Sequence, residues 1–78
     1  MITTQVRVTL PDGATRYYDG LARKPDGTYE GVEVKSGSAS LSARQRAFDA
    51  QVDAGTPATG RLDGVPVVVS STYLQNVK

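Results

Sequence analysis

The sequence predicts an α+β domain: a three-stranded antiparallel meander, then one helix, then a fourth strand. Three observations carry that expectation. Pro-Asp-Gly occurs twice between runs that alternate polar and apolar residues. A single stretch, 41–52, has helical spacing and is followed by Gly55 and Pro57. A short apolar run, 65–69, comes after it.

The two turns are Pro11-Asp12-Gly13 and Pro25-Asp26-Gly27. Proline presets φ for the first turn position, aspartate suits the next, and glycine supplies a left-handed residue. Three-residue hairpin loops of this kind are common. Residues 2–10, 14–24 and 28–36 therefore read as three strands. Ser38-Ala39-Ser40 offers N-cap candidates, and Leu41, Phe48 and Val52, with Ala47 nearby, fall on one side of a helix. Gly55 and Pro57 stop it. Residues 56–64, rich in Gly, Thr and Pro, read as a loop. Residues 65–69 read as a buried strand, and the tail to Lys78 carries no clear pattern.

Composition bounds the chemistry. At 78 residues the chain is one domain, and one this small buries only about 60% of its unfolded surface. With no cysteine and no histidine it has no disulfides and no thiolate or imidazole metal ligands. A metal site must use oxygen donors, which favours Mg²⁺, Mn²⁺ or Ca²⁺. No run approaches the roughly 20 apolar residues of a membrane helix. Nine basic and eight acidic residues leave a net charge of +1, a weak argument for nucleic acid.

The loops set the registers. A Pro25-Asp26-Gly27 loop puts Lys24 across from Thr28, and so Asp19 across from Glu33. Lys35 lies two residues along, on the same face. The Pro11-Asp12-Gly13 loop puts Gln5 beside Asp19 and Arg7 beside Tyr17. One face then carries Thr3, Gln5, Arg7, Thr9, Tyr17, Asp19, Glu33 and Lys35. The other, expected to be the core face, carries Ile2, Val6, Val8, Leu10, Tyr18, Ala22, Val32 and Val34, with Arg16 at its margin.

Like charges directly opposite on a sheet are destabilising. A cation between Asp19 and Glu33 removes that penalty, and two carboxylates with a main-chain carbonyl such as that of Val34 suit Mg²⁺. Lys35 is placed to orient or deprotonate an attacking water, or to stabilise a phosphoryl transition state. The alternative is a surface charge cluster, whose exposed pairs contribute about 0–1 kcal/mol. Arg7 and Tyr17 border the site and suit a phosphate contact and a base stack, or are ordinary strand residues. Arg23, Lys24, Arg44 and Arg46 form either a basic rim or solubilising charge.

Asp19 followed by Glu33-Val34-Lys35 across a Pro-Asp-Gly hairpin resembles the PD-(D/E)xK superfamily, the restriction-endonuclease-like nucleases. The string Tyr18-Asp19-Gly20, Gly31-Val32-Glu33-Val34-Lys35-Ser36-Gly37, then Leu41-Ser42-Ala43-Arg44-Gln45 is similar to its toxin branch. Those are C-terminal nuclease domains of bacterial polymorphic and contact-dependent toxins. The match covers roughly residues 15–52, and Glu-x-Lys alone is a weak motif. The resemblance implies Asp19 and Glu33 as ligands of Mg²⁺ or Mn²⁺, Lys35 as the catalytic lysine and Gln45 as a helix residue turned toward them. It implies a nucleic acid substrate, DNA ahead of RNA, and a cognate immunity protein. It also implies delivery by a carrier into the cytoplasm of a target bacterium. The family core usually opens with a helix that this sequence does not show. The chain is therefore expected to be the C-terminal piece of a longer toxin or a minimal version of the core. Two rivals stand beside this reading. One is a non-catalytic β-sheet module docking through strand 2–10 as an edge; the other is a repair or junction-resolving nuclease of the same fold.

Overall fold

A computed structural model describes residues 2–77. It is α+β: strands β1 (Val6–Thr9), β2 (Thr15–Tyr18), β3 (Gly20–Arg23) and β4 (Tyr29–Ser36), helix α1 (Ala43–Asp53), then strands β5 (Ala58–Leu62) and β6 (Val65–Val77). The strands form one curled mixed sheet in the order β2-β1-β5-β6-β4-β3. Both hairpin registers are as expected up to Val6 across from Tyr18 and Gly20 across from Val32, but the expected pairs of Asp19 with Glu33 and of Gln5 with Asp19 are not among them.

The meander is not as expected. Residues 14–24 form two strands, and these lie at opposite edges of the sheet. The break is at Asp19. Its N–H donates to the Val32 carbonyl at 2.9 Å, although Gly20 is the register partner of Val32. Two residues thus face one, a bulge that bends the chain and switches which side chains point inward. Before it, Arg16 and Tyr18 are buried; after it, Leu21 is buried and Ala22 only half-buried. Glu33 and Val34 consequently exchange faces relative to expectation: Glu33 is 7% exposed and Val34 39%.

Three further differences follow from long-range pairing. Regular strand in 2–10 is confined to β1, with Ile2 joined to Leu21 by an isolated bridge. β1 pairs with β2 on one side and β5 on the other, so strand addition there is blocked. The expected loop 56–64 contains β5. It turns into β6 through Asp63 and Gly64, both at positive φ (52° and 79°), as a two-residue hairpin requires. The tail continues β6, which runs parallel to β4 as far as Val77.

The helix begins two residues later than expected. Ser42 caps it by accepting from the Gln45 N–H at 3.1 Å, while the Gln45 side-chain oxygen accepts from the Ser42 N–H at 2.9 Å. This reciprocal pair satisfies two otherwise orphaned donors. Phe48 and Val52 pack on the inner sheet face against Val6, Val8, Leu10, Tyr18, Leu21, Ala58, Val67 and Val69. Ala47 is exposed. Gly31 is required where Tyr18 crosses β4, because a Cβ there would lie 2.7 Å from the ring. Among the described residues no helix is long and apolar enough to cross a membrane.

Candidate active site

Strand alternation points Gly31, Glu33 and Lys35 of β4 to the inner face. Across the curl, Arg16 and Tyr18 of β2 point inward, because their neighbours in β1 are the core valines Val8 and Val6. On α1, Gln45 and Asp49 are four residues apart and share the face that carries Phe48 and Val52. All these side chains meet between helix and sheet.

Arg16, 4% exposed, is the hub. Its Nη1 donates to Glu33 Oε1 at 2.7 Å and to the Tyr17 carbonyl at 2.9 Å. Its Nε and Nη2 form a fork on the two Asp49 oxygens at 3.1 and 3.2 Å. The Tyr18 hydroxyl donates to Asp49 Oδ1 at 2.5 Å, and the guanidinium lies 4.3 Å from the Tyr18 ring centroid. Burial works against the guanidinium's charge, but the bonds to Asp49 and Glu33 outweigh it and raise the Arg16 pKa. Burial and the bond to Asp49 push the Tyr18 hydroxyl well above its ordinary value. Among the described residues no buried side-chain polar atom lacks a partner.

Gln45 links this hub to the helix start. Because its oxygen is held by the Ser42 N–H, its amide nitrogen is the end left to face the sheet, and it donates to Glu33 Oε1 at 3.3 Å. Asp19 reaches the same carboxylate from the bulge. Its Oδ2 accepts from the Val34 N–H at 2.8 Å, beyond the last β3–β4 pair. The pKa values of Asp19 and Glu33 move apart. Asp19 is lowered, first by Glu33 and then by the Val34 N–H. Glu33 is raised, first by burial and then by Asp19, with Arg16 opposing. Two carboxyls held at different affinities for a proton are a common feature of acid–base sites, and of structural ion-pair networks too.

The structure therefore brings Asp19, Glu33 and Gln45 together, with Lys35 half-buried on the Glu33 face and close enough to help lower the Asp19 pKa. The Val34 carbonyl leaves the same strand edge as its N–H, toward Asp19. Arg7 and Tyr17 are exposed, and Arg7 borders a separate hollow with Arg61. Tyr17 borders one with Gln45. Two residues escaped the sequence reading, Arg16 as a site member and Asp49 altogether. Each carried a signal: Arg16 falls across from Val8, and Asp49 sits on the stripe of Phe48 and Val52.

Oxygen donors for a divalent cation are present. Asp19 Oδ1 and Glu33 Oε2 carry no hydrogen bond from the described residues. No group of three or more Asp, Glu, His or Cys side chains with metal-binding geometry occurs among them. The pair fits a hard cation only with the carbonyl and water completing the shell. No known protein family, curated protein or solved structure matches the chain.

Proposed function

We propose that the protein is a metal-dependent nuclease that hydrolyses phosphodiester bonds at Asp19, Glu33 and Lys35. The observation that supports this best is the placement of Asp19 on the N–H of Val34, next in the chain to Glu33, while Gln45 and Arg16 hold Glu33 by one oxygen. Asp19, Glu33 and the Val34 carbonyl would hold Mg²⁺ or Mn²⁺. When bound, such a cation supplies acidification of water and neutralisation of phosphate charge. Lys35 then orients or deprotonates the attacking water, or stabilises the phosphoryl transition state. Arg16 and Gln45 fix Glu33 through one oxygen and leave the other for the site.

The sequence resemblance to toxin nucleases supports a setting as the delivered domain of an interbacterial toxin, acting in the target cytoplasm and neutralised by an immunity protein. Harmless expression in bacteria lacking that partner, with any upstream segment included, removes this setting.

A second reading has its own observation. Arg16 already balances Glu33, and the Val34 N–H already occupies Asp19, so the cluster is also explicable as a structural ion network in a non-catalytic binding module. Incubation with plasmid DNA and with total RNA, in Mg²⁺, Mn²⁺ or EDTA, separates the two. The nuclease gives metal-dependent cleavage that Glu33→Gln abolishes. A folded protein that cleaves neither polymer, with any upstream segment included, favours the binding module.

A further inference from the structure

Two hollows of about 230 and 380 Å³ adjoin along the seam between β2 and α1, and Arg44 borders both. The smaller is walled by Tyr17 and Gln45 and reaches Arg16; the larger continues past Phe48 toward Gly13 in the first turn. Although the chain is close to neutral, no carboxylate lines either hollow. The Arg16 charge is consumed by Glu33 and Asp49, whereas Arg44 makes no ion pair among the described residues. Tyr17 is 53% exposed, so its ring has a face to offer. A cation and an aromatic ring along a groove without acids match a backbone phosphate and a stacked base. At its inner end the seam meets Gln45 and Arg16, which both hold Glu33.

We infer that the β2–α1 seam binds a single-stranded nucleic acid, with Arg44 on a phosphate and Tyr17 stacked on a base, and feeds it to Glu33. This rests on the nuclease reading and names its substrate class as single-stranded rather than duplex, because hollows of this size admit individual nucleotides and not a paired helix.

The test is fluorescence anisotropy in EDTA, where cleavage does not intervene. The probes are a labelled single-stranded DNA of about 12 nucleotides, the matching RNA, and the DNA duplex. Either single strand should bind roughly tenfold or more tightly than the duplex. Tyr17→Ala should weaken single-strand binding about fivefold or more, and Tyr17→Phe should restore it. Arg44→Ala should reduce the salt dependence by about one phosphate contact. Arg46→Ala, exposed on the same helix but outside both hollows, should change affinity less than about twofold. Equal effects at Arg44 and Arg46, duplex binding as tight as single-strand binding, or no binding by folded protein each overturn the proposal. Glu33-dependent cleavage with binding indifferent to Tyr17 and Arg44 sinks the seam but not the nuclease. Seam-dependent binding without cleavage in any metal sinks the nuclease but not the seam.

Discussion

The hairpins β1–β2 and β3–β4 share a turn sequence and nearly the same turn bonds. Asp12 Oδ1 accepts from the Ala14 N–H, and Asp26 Oδ1 from the Thr28 N–H, both at 2.9 Å. Gly13 and Gly27 sit at φ 91° and 89°. Beyond the turns the two diverge. The first hairpin sends Arg16 and Tyr18 into the interior, where Asp49 and Glu33 meet them. The second ties its turn end to β6 through half-buried side-chain bonds, from Lys24 to Ser70 and Ser71 at 2.9 and 3.2 Å and between Thr28 and Ser70 at 2.6 Å. The same local chemistry thus supports a buried charge network in one hairpin and a polar surface clasp in the other. Tertiary environment, not the turn, sets the energetic weight.

The largest expected effect tests that difference directly. Asp49→Ala leaves Arg16 with Glu33 as its one carboxylate partner and the Tyr18 hydroxyl without its acceptor, and should cost about 3 kcal/mol, read from denaturant unfolding. Lys24→Ala, which removes the clasp from the second hairpin, should cost about 1 kcal/mol. Equal losses in the two hairpins would overturn the comparison. Next comes the point where the hairpins touch: Gly31→Ala drives a methyl into the Tyr18 ring and should cost about 1–3 kcal/mol. A neutral result there means that Tyr18 does not lie across β4.

What was legible in the sequence follows the same division. Pro-Asp-Gly acts over three residues, so both turns and both registers could be read from it. Helix spacing likewise located α1 within two residues of its observed start and one of its end. The bulge at Asp19 lets β2 and β3 part to opposite edges of the sheet, with β5 and β6 between the two hairpins, and no local pattern encodes that insertion. Gly20, a glycine inside an apparent strand, was its one trace. Because the bulge inverts the faces, Glu33 and Val34 were read onto the wrong sides, and Asp19 reaches β4 through the Val34 N–H rather than as the register partner of Glu33. The β5–β6 hairpin had a signal in Asp63-Gly64, masked by the surrounding Gly, Thr and Pro. Arg16 and Asp49 were obscure for a further reason: each is a charge on an apolar stripe, intelligible only once its partner is known.

Smaller in size, but sharper for the turns, is a matched pair of substitutions. Gly13→Ala and Gly27→Ala each place a Cβ on a left-handed residue with open space around it. Each should cost about 1–2 kcal/mol, and the two losses should agree closely. A clear inequality in unfolding free energy means the turns are not energetically equivalent, and the divergence of the hairpins then begins at the turn itself.

The smallest effect concerns the carboxyl pair at the bulge. Asp19 has a lowered folded pKa, so its contribution is present above its ordinary range and is lost as pH falls through the lowered value. Glu33 has a raised folded pKa, so its contribution is present below its ordinary range and is lost as pH rises through the raised value. The two slopes have opposite sign in separate intervals, so these carboxyls together give the wild type a stability maximum between the ordinary aspartate and glutamate ranges. Glu33→Gln removes the second and weakens the first, whose leading cause is Glu33. Its stability relative to wild type should therefore improve as pH rises from the ordinary glutamate range through the raised one, whatever the constant loss of the Arg16 bond. Asp19→Asn removes the first and weakens the second, and should lose ground relative to wild type as pH rises through the interval from the lowered value to the ordinary aspartate range. Parallel profiles for wild type and both variants across the acid range would show that folding shifts neither carboxyl, and would remove the electrostatic case for a paired-carboxylate centre.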